Sequence, residues 1–441
     1  MIKLELYAEE SLRRTLCWED GRLDSVTDTE CSGVGLRALG DPGAYASLEA
    51  RSPLTRGLTE SETRRVRDQA RLLGGRVAFH GRTWPRAPDE CSLRPDLPFN
   101  KKIAWLSEAD RAARNDPRVR QVRLTWGELN KTVGGVTFED KSYFEQRSYR
   151  TFVVQVTAEQ GVLRQTGYEV VAVQGDWNDL ISVDPCAVSA RAARRALMKL
   201  EAPSAPLGEM SVVIAAEAGG TLIHEAVGHS LEADAILDGS SPHYGGKVGR
   251  RVAGEKMTVL DDPTRPGQRG SFLFDDEGTP ARRTVLIENG VLRDYLYDVR
   301  SAQKSQRPSN GHGRRESFAH RPIPRMSNTF IAPGPDDPDD ILRDLTRGLY
   351  VTRLGGGQVN TATGDFVFEV EEGYWVENGV PLHSVRGANL LGNGPEVLKS
   401  IDRVGWDLGW SVGTCGKEGQ NVPVSDGLPT LRIPRVVVGG V

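Results

Sequence analysis

Two histidines flank a glutamate inside one short apolar stretch of the chain. Residues 221–229 read TLIHEAVGH, which places His224 beside Glu225 and puts His229 five residues after the first histidine. Two imidazoles and a carboxylate so arranged are typical of metal-assisted hydrolysis. The common zinc-peptidase motif HExxH has one residue fewer between its histidines. These few residues fit a helix with two incidental histidines equally well.

The wider spacing predicts a local distortion of the helix. Residues four apart lie about 40° apart around a regular helix, whereas residues five apart lie about 140° apart. A regular helix would therefore direct the rings of His224 and His229 away from each other. We expect a π-bulge to absorb the extra residue, or a helix that ends before His229. Gly228 stands where either distortion costs least.

A catalytic zinc site usually has three protein ligands and one open position, so a third ligand is needed. The candidates in the second half are its acidic residues and Cys415, His243, His312, His320 and His383. Cys415 lies in the glycine-rich segment 413–420 rather than in an apolar run, unlike an ordinary core cysteine. Lys417 nearby favours the thiolate. A half-exposed thiol without a role is the alternative.

The elements that must position these residues fall into two halves. The first half mixes predicted helices at 61–73, 107–115 and 189–199 with strands at 119–128, 131–138 and 149–158, and has a hairpin over 13–26. The second half is rich in strands, with Asn-Gly hairpins around 289–290 and 378–379. Prolines 203 and 206 mark a linker. Residues 84–98 predict a loop, and His80 is isolated.

This pattern predicts an α+β fold with two domains. Residues 1–205 form an N-terminal mixed α/β domain, and residues 206–441 form a strand-rich C-terminal domain that carries the metal-binding helix. A chain of 441 residues is long enough for both.

Charge and composition exclude several classes of partner. The net charge of −4 and the pI near 6.1 give no electrostatic basis for binding nucleic acid or an anionic membrane. The apolar runs are shorter than the ~18 residues of a transmembrane helix. Residues 1–6 contain a lysine and a glutamate, which argues against an export signal. Five scattered cysteines are typical of a reducing compartment, so we expect a cytoplasmic protein.

Several blocks of the second half, taken in order, resemble the TldD/PmbA family of metallopeptidases, on the TldD side. The resemblance is dense from Met210 onward and weaker, though in register, before it. The chain departs from the family pattern at Ser230, at Ser425-Asp426 and in its short first half. The matching blocks are 224–229 with 231–232, 275–280, 310–320 with 324–326, 355–359 with 363–364, 399–405, 415–420 and 429–431.

The resemblance implies that His224, His229 and Cys415 bind one zinc ion per chain and that Glu225 is the general base. It also implies a peptide substrate, because family members cleave small or unfolded peptides and can mature peptide natural products. PmbA-like members lack the metal motif and pair with TldD-like ones. We therefore expect a dimer, either a homodimer or a heterodimer with a PmbA/TldE-like paralogue.

Further substrate or oxyanion contacts are less determined by the sequence. Candidate donors are His312, Arg314, Arg315, Tyr295 and Tyr297, although a surface loop is the slightly preferred interpretation of the arginine pair. The run 355–357, with Gly356 and Gly357, would let a peptide dock as an added strand, or it is a plain turn.

The competing function is a non-catalytic scaffold whose metal staples the fold and which supports a catalytic paralogue. A structural zinc site needs a fourth ligand such as His243, and this interpretation leaves Glu225 without a purpose.

Overall fold

The first half of the chain forms a six-stranded antiparallel sheet in the computed structural model, which describes residues 4–40, 43–74, 97–181 and 183–440. Alternating burial along the strands turns one face of the sheet toward helices. Across the sheet the strands are Ala44–Glu49, Arg22–Ala38, Leu4–Glu19, Val119–Val136, Ser142–Gln160 and Leu163–Gln174.

Helices cover this sheet with apolar side chains. Phe99–Ala113 and Pro185–Glu201 share one buried cluster with the central strands, in which Trp126 is fully buried. Glu60–Leu72 packs over the other end of the sheet through Val66. A short helix, Trp177–Ile181, follows the last strand.

Two further sheets enclose the main core of the second half. Within the described residues, one has seven strands: Arg347–Val359, Gly208–Ile214, Leu431–Gly440, Ala388–Asn393, Asp365–Glu377 and Val380–Val385, with Arg403–Val404 beside Leu431–Gly440. The other has six: Val291–Leu292, Thr284–Glu288, Val259–Asp261, Asn328–Ile331, Gln420–Leu428 and Gly409–Lys417. Gly313–Arg314 and Ile323–Pro324 form a separate pair.

The helices of this half are short. They are Thr221–Ile223, Ala233–Leu237, Val299–Lys304, Pro338–Arg343 and Gly394–Ser400, together with the 3-10 turn Ala216–Ala218. No helix in the described ranges is long and apolar enough to cross a membrane. One apolar cluster joins both sheets to the motif segment, so the candidate ligands are held by the main core.

The predicted α+β class with two domains is confirmed, while the boundary at residues 205 and 206 stays a prediction. The three hairpins form at their predicted turns, where Asp20, Asn289 and Asn378 take positive φ angles of 49°, 49° and 51°. His80 and the predicted loop over 84–98, apart from residues 97 and 98, lie outside the described residues.

Two local predictions are wrong. The strands expected at 119–128 and 131–138 are one strand, because the intervening residues keep pairing with both neighbouring strands. The first helix begins after Thr59 rather than at Ser61. The Thr59 hydroxyl accepts the backbone N–H of Glu62, and the Glu62 carboxylate accepts that of Thr59, which completes a capping box.

Buried ion pairs connect the two halves. Glu372, on Asp365–Glu377, accepts hydrogen bonds from Arg194 at 2.8 and 2.9 Å and from Arg195 at 2.8 Å, both on Pro185–Glu201. Arg195 also pairs with Glu169 of the first sheet. Lys199 reaches Glu371 at 2.5 Å. Since Glu372 and Arg195 are both buried, each supplies part of the charge compensation of the other.

Replacing Glu372 with alanine is expected to lower the free energy of unfolding by about 3 kcal/mol, because it leaves the buried Arg195 without this partner. Urea unfolding measures the change. Glu209→Ala is the matched control, since its pair with Arg435 lies on the surface of the second half, and it should change stability little. Equal effects of the two substitutions would contradict a role for the buried pairs in joining the halves.

Candidate metal centre

The motif segment changes its helical type at the two histidines. An α-helical turn, Thr221–Ile223, is followed by a π-helix, His224–Gly228, and then by a 3-10 turn, His229–Leu231. The N–H of His229 donates to the carbonyl of His224, five residues earlier. The predicted π-bulge is therefore confirmed, and it absorbs the extra residue of the motif.

This geometry brings the predicted ligands together. The rings of His224 and His229 have centroids 5.0 Å apart and stand at 88° to each other. Cys415, buried on Gly409–Lys417, places its Sγ 3.4 Å from His229 Nε2. The possible ligand atoms of the three residues lie within 4.8 Å of one another, and no other such group occurs in the described parts of the chain. The alternative ligands His243, His312, His320 and His383 are not part of it.

The Nδ1 atom of each histidine contacts a carboxylate, which holds the ring in place. His224 Nδ1 lies 2.7 Å from Asp426 Oδ1, and His229 Nδ1 lies 3.0 Å from Glu232 Oε2. A carboxylate accepts a hydrogen bond, so Nδ1 of each ring carries a proton, and Nε2 has a free lone pair when the ring is in its neutral, metal-binding form. Metal-binding histidines are usually oriented in this way.

The electrostatics of the group favour a thiolate beside two protonated imidazoles, whose Nε2 protons a bound metal ion would displace. Burial raises the pKa of Cys415, but the two neighbouring imidazoles outweigh it and lower that pKa to about 4. Burial opposes the charged form of His229, yet Glu232 and the thiol raise its pKa to about 10. Asp426 likewise raises the pKa of His224 well above its ordinary value, against burial. The pocket thus stabilises a thiolate beside positive charge, and its two nitrogens and one sulfur are a donor set that suits zinc.

Glu225 lines an open cleft of about 510 Å³ next to these ligands. Its side chain is half-buried, and burial raises its pKa. The cleft reaches from the motif to the strand that contains the triple glycine and to the end of the strand that carries Cys415. Its walls include Glu225, His229, Glu232, Gly357, Gln358 and Lys417.

Gly228 is required for space rather than for backbone freedom. Its φ of −54° and ψ of −56° are ordinary for any residue in a right-handed helix. A Cβ there would lie 1.9 Å from the Sδ of Met326, which is fully buried. The expectation that glycine eases the helix distortion is therefore wrong, and the close approach of Met326 is the reason.

The basic loop lies elsewhere. His312, Arg314 and Arg315 are buried, and none of them is among the residues that line the cleft, so the interpretation as a surface loop is wrong. His312 Nε2 is 3.2 Å from Thr284 Oγ1. Arg314 donates to the carbonyls of residues 326 and 423, and Arg315 pairs with a glutamate of the first strand. Their role as substrate or oxyanion contacts stays a prediction, and their positions away from the cleft do not support it.

The triple glycine forms a bulged part of Arg347–Val359, so the interpretation as a plain turn is wrong. Gly357 lines the cleft, and a Cβ there would lie 2.1 Å from Phe368. Gly356 has open space around it.

Sequence reasoning missed the two carboxylates that orient the histidines. Glu232 follows His229 by three residues, a spacing that could have indicated it. Asp426 lies 202 residues from His224 and gives no local signal. Lys417 was expected to stabilise the thiolate, but its ammonium group instead pairs with Glu232 at 3.0 Å and Asp234 at 2.7 Å.

Comparison with known proteins identifies related sequences over most of the chain. The family profile described as the PmbA/TldA metallopeptidase C-terminal domain matches residues 207–440, and that of the central domain matches residues 94–200. The metalloprotease of Methanothermobacter thermautotrophicus is 33% identical over 447 residues, which cover 99% of this chain and 95% of the relative. The metalloprotease TldD homolog of Haemophilus influenzae is 39% identical over 362 residues, which cover 78% of this chain and 73% of the relative.

Two further similarities concern the metal and the fold. The zinc metalloprotease TldD homolog of Saccharolobus solfataricus is 30% identical over 304 residues, 68% of this chain and 67% of the relative. The crystal structure of TldE from Thermococcus kodakarensis has a TM-score of 0.72 at 18% identity and covers 99% of this chain and 96% of that one. At this identity the second similarity shows the fold alone.

Replacing Gly228 with alanine is expected to weaken zinc binding and to cost about 1–3 kcal/mol of stability, because the new methyl group overpacks against Met326. Competition with a chromophoric chelator and urea unfolding measure the two effects. Gly245→Ala is the control, since a Cβ there meets nothing closer than 3.5 Å. In the double variant with Met326→Ala the two costs should be less than additive. Unchanged zinc affinity in Gly228→Ala would show that the π-helix does not depend on this contact.

Proposed function

The chain belongs to the TldD/PmbA family of metallopeptidases, and we propose that it is a zinc-dependent peptidase that hydrolyses small or unfolded peptides. One observation carries the proposal: His224, His229 and Cys415 converge within 4.8 Å, beside a cleft that contains Glu225. The similarity to a relative named a zinc metalloprotease supports the choice of metal.

In this proposal His224 Nε2, His229 Nε2 and Cys415 Sγ hold the zinc ion. Zinc bound by these residues supplies Lewis acidity, which polarises the peptide carbonyl and promotes ionisation of water. The carboxylate of Glu232 holds the ring of His229 through its Nδ1. The three ligands come from two separate parts of the chain, so the site forms only when the strand Gly409–Lys417 packs against the motif segment.

Glu225 acts as the general base. It follows His224 directly and lines the cleft in which a peptide would lie. It takes a proton from the attacking water and transfers it to the nitrogen of the leaving amine.

Two strand edges beside the cleft support an extended peptide as the substrate. The segment 357–359 pairs on one side with Asp365–Glu377, while the pairing of its other side, with Gly208–Ile214, ends at Val351. Gly409–Lys417 is the edge of its own sheet, and its last two residues, Gly416 and Lys417, also line the cleft. A peptide added as a strand would bind through its main chain, which favours small or unfolded substrates.

The proposed assembly is a dimer, either a homodimer or a heterodimer with a PmbA/TldE-like paralogue. The similarity of the fold to that of TldE over nearly the whole chain supports it, because two chains of one fold can form a nearly symmetric interface. The cytoplasmic location stays a prediction from the cysteine pattern.

The alternative, a metal-stapled scaffold, is less well supported. A closed structural zinc site has four ligands, whereas the group found in the described residues has three. His243, the fourth ligand that this alternative would need, lies outside the group. A cleft lined by Glu225 also has no purpose in a scaffold.

The purified chain is expected to contain about one zinc ion, and Cys415→Ala is expected to lose it, because two histidines alone hold zinc weakly. Elemental analysis gives the metal content. Cys31→Ala is the matched control, since Cys31 is a free cysteine outside the group and should leave the zinc content unchanged. Zinc retained without Cys415 would assign the third ligand to another residue.

Glu225→Gln is expected to keep its zinc and to lose peptide hydrolysis by about two to four orders of magnitude, because the amide cannot accept the proton of water. Turnover of an unfolded peptide and metal content are measured on the same samples. Glu217→Gln changes an exposed carboxylate that does not line the cleft and should preserve turnover. Turnover preserved in Glu225→Gln would remove this residue from the role of base.

A further inference from the structure

We propose that Asp426 is a positioning residue of the metal centre, which fixes the tautomer and the orientation of His224. The inference rests on the proposed zinc site and adds a residue that touches neither the metal nor the substrate. Asp426 is not one of the three residues of the metal-binding group, and its carboxylate contacts the ring of His224, so it acts through His224.

The contact between the two residues is short and shielded from solvent. Asp426 Oδ1 lies 2.7 Å from His224 Nδ1, and the two residues are 6% and 5% exposed. A buried carboxylate accepts a hydrogen bond strongly, so it selects the tautomer with the proton on Nδ1. That tautomer leaves Nε2 as the free donor atom of His224.

The backbone around Asp426 is docked directly on the beginning of the motif helix. The N–H of Gly220 donates to the Asp426 carbonyl at 3.3 Å and to Ser411 Oγ at 3.0 Å. A Cβ on Gly220 would lie 2.3 Å from the nitrogen of Gly427. The strand and the helix therefore approach without side chains between them, which leaves Asp426 little freedom to move away from His224.

The same hairpin carries a ligand and the positioning residue. Gly409–Lys417 bears Cys415, which contacts His229, and the antiparallel Gln420–Leu428 bears Asp426, which contacts His224. The hairpin thus places one group on each histidine. Its two strands are in fixed register, so a shift of either strand would change both contacts.

The charge of Asp426 is directed at His224. In the described part of the chain, Asp426 forms an ion pair with His224 and with no lysine or arginine. Glu232, the corresponding carboxylate of His229, shares its charge with Lys417. We therefore expect the loss of Asp426 to weaken the hold on His224 without leaving an unpaired lysine or arginine.

The first test is zinc affinity of the full chain, measured by competition with a chromophoric chelator. Asp426→Ala should weaken zinc binding by about 10–100-fold, the usual effect of removing a carboxylate behind a metal-binding histidine. Asp426→Asn should recover part of the loss, because its amide oxygen accepts the same hydrogen bond. Asp407→Ala is the control: Asp407 accepts hydrogen bonds from the backbone and hydroxyl of Thr430, so it should lose stability but keep its zinc affinity.

The second test needs no variant at Asp426. Nitrogen-15 NMR of the zinc-bound wild type, with the His224 signals assigned from a His224→Gln sample, reports which ring nitrogen carries the proton. A proton on Nδ1 supports the proposal, and a proton on Nε2 overturns it.

The outcomes separate this inference from the proposed function. Wild-type chain that binds zinc through Cys415 while Asp426→Ala binds it equally well overturns the role of Asp426 and leaves the peptidase proposal intact. Wild-type chain that binds no zinc overturns both.

Discussion

The five-residue separation of His224 and His229 is the constraint on which the rest of the site depends. An isolated helix would not keep a π-turn, because the wider turn gives up regular hydrogen bonds. In this protein, residues distant in sequence pack against the π-turn and hold it. Met326 fills the space beside Gly228, and the strand at Gly427 lies directly on Gly220. The motif is therefore not a self-sufficient metal-binding helix. Its geometry is imposed by segments that lie a hundred and two hundred residues further along the chain.

Those segments are themselves held by buried arginines. The hairpin Gly409–Leu428 pairs with a neighbouring strand only near its base, at residues 425–427. Further out, Arg325 donates to the carbonyls of Cys415 and Gln420, while Arg314 donates to that of Pro423. No carboxylate in the described residues forms an ion pair with either guanidinium, so their burial costs stability. Both arginines contact the hairpin that carries Cys415. We therefore infer that their burial maintains the position of Cys415 more than it stabilises the fold.

The sequence predicts what depends on neighbours along the chain. The Asn-Gly hairpins and the π-bulge follow from local turn chemistry and helical spacing, and all of them are present. Contacts between distant segments do not follow. Arg314 and Arg315 have the composition of a surface loop, yet both are buried because the groups that receive them come from distant strands. In the sequence Asp426 is only a departure from the family pattern, and its contact with His224, 202 residues away, depends on how the hairpin packs against the motif helix.

The strand edges beside the cleft support an extended peptide as the proposed substrate more strongly than the metal site does. A three-ligand zinc site supports many hydrolytic reactions, and its chemistry alone selects none of them. Here His229 lines a cleft whose walls also include Gly357 and Lys417, and each of these two lies on a strand that has no second neighbouring strand at that point in the described residues. A folded domain rarely offers a bare strand to such edges, because its own strands are already paired. An unfolded chain or a short peptide can form main-chain hydrogen bonds with these strand edges. The hairpin that supplies Cys415 also lines the cleft through Lys417, so under the proposed function one element would help to determine both where the bond is cleaved and which conformation the peptide takes.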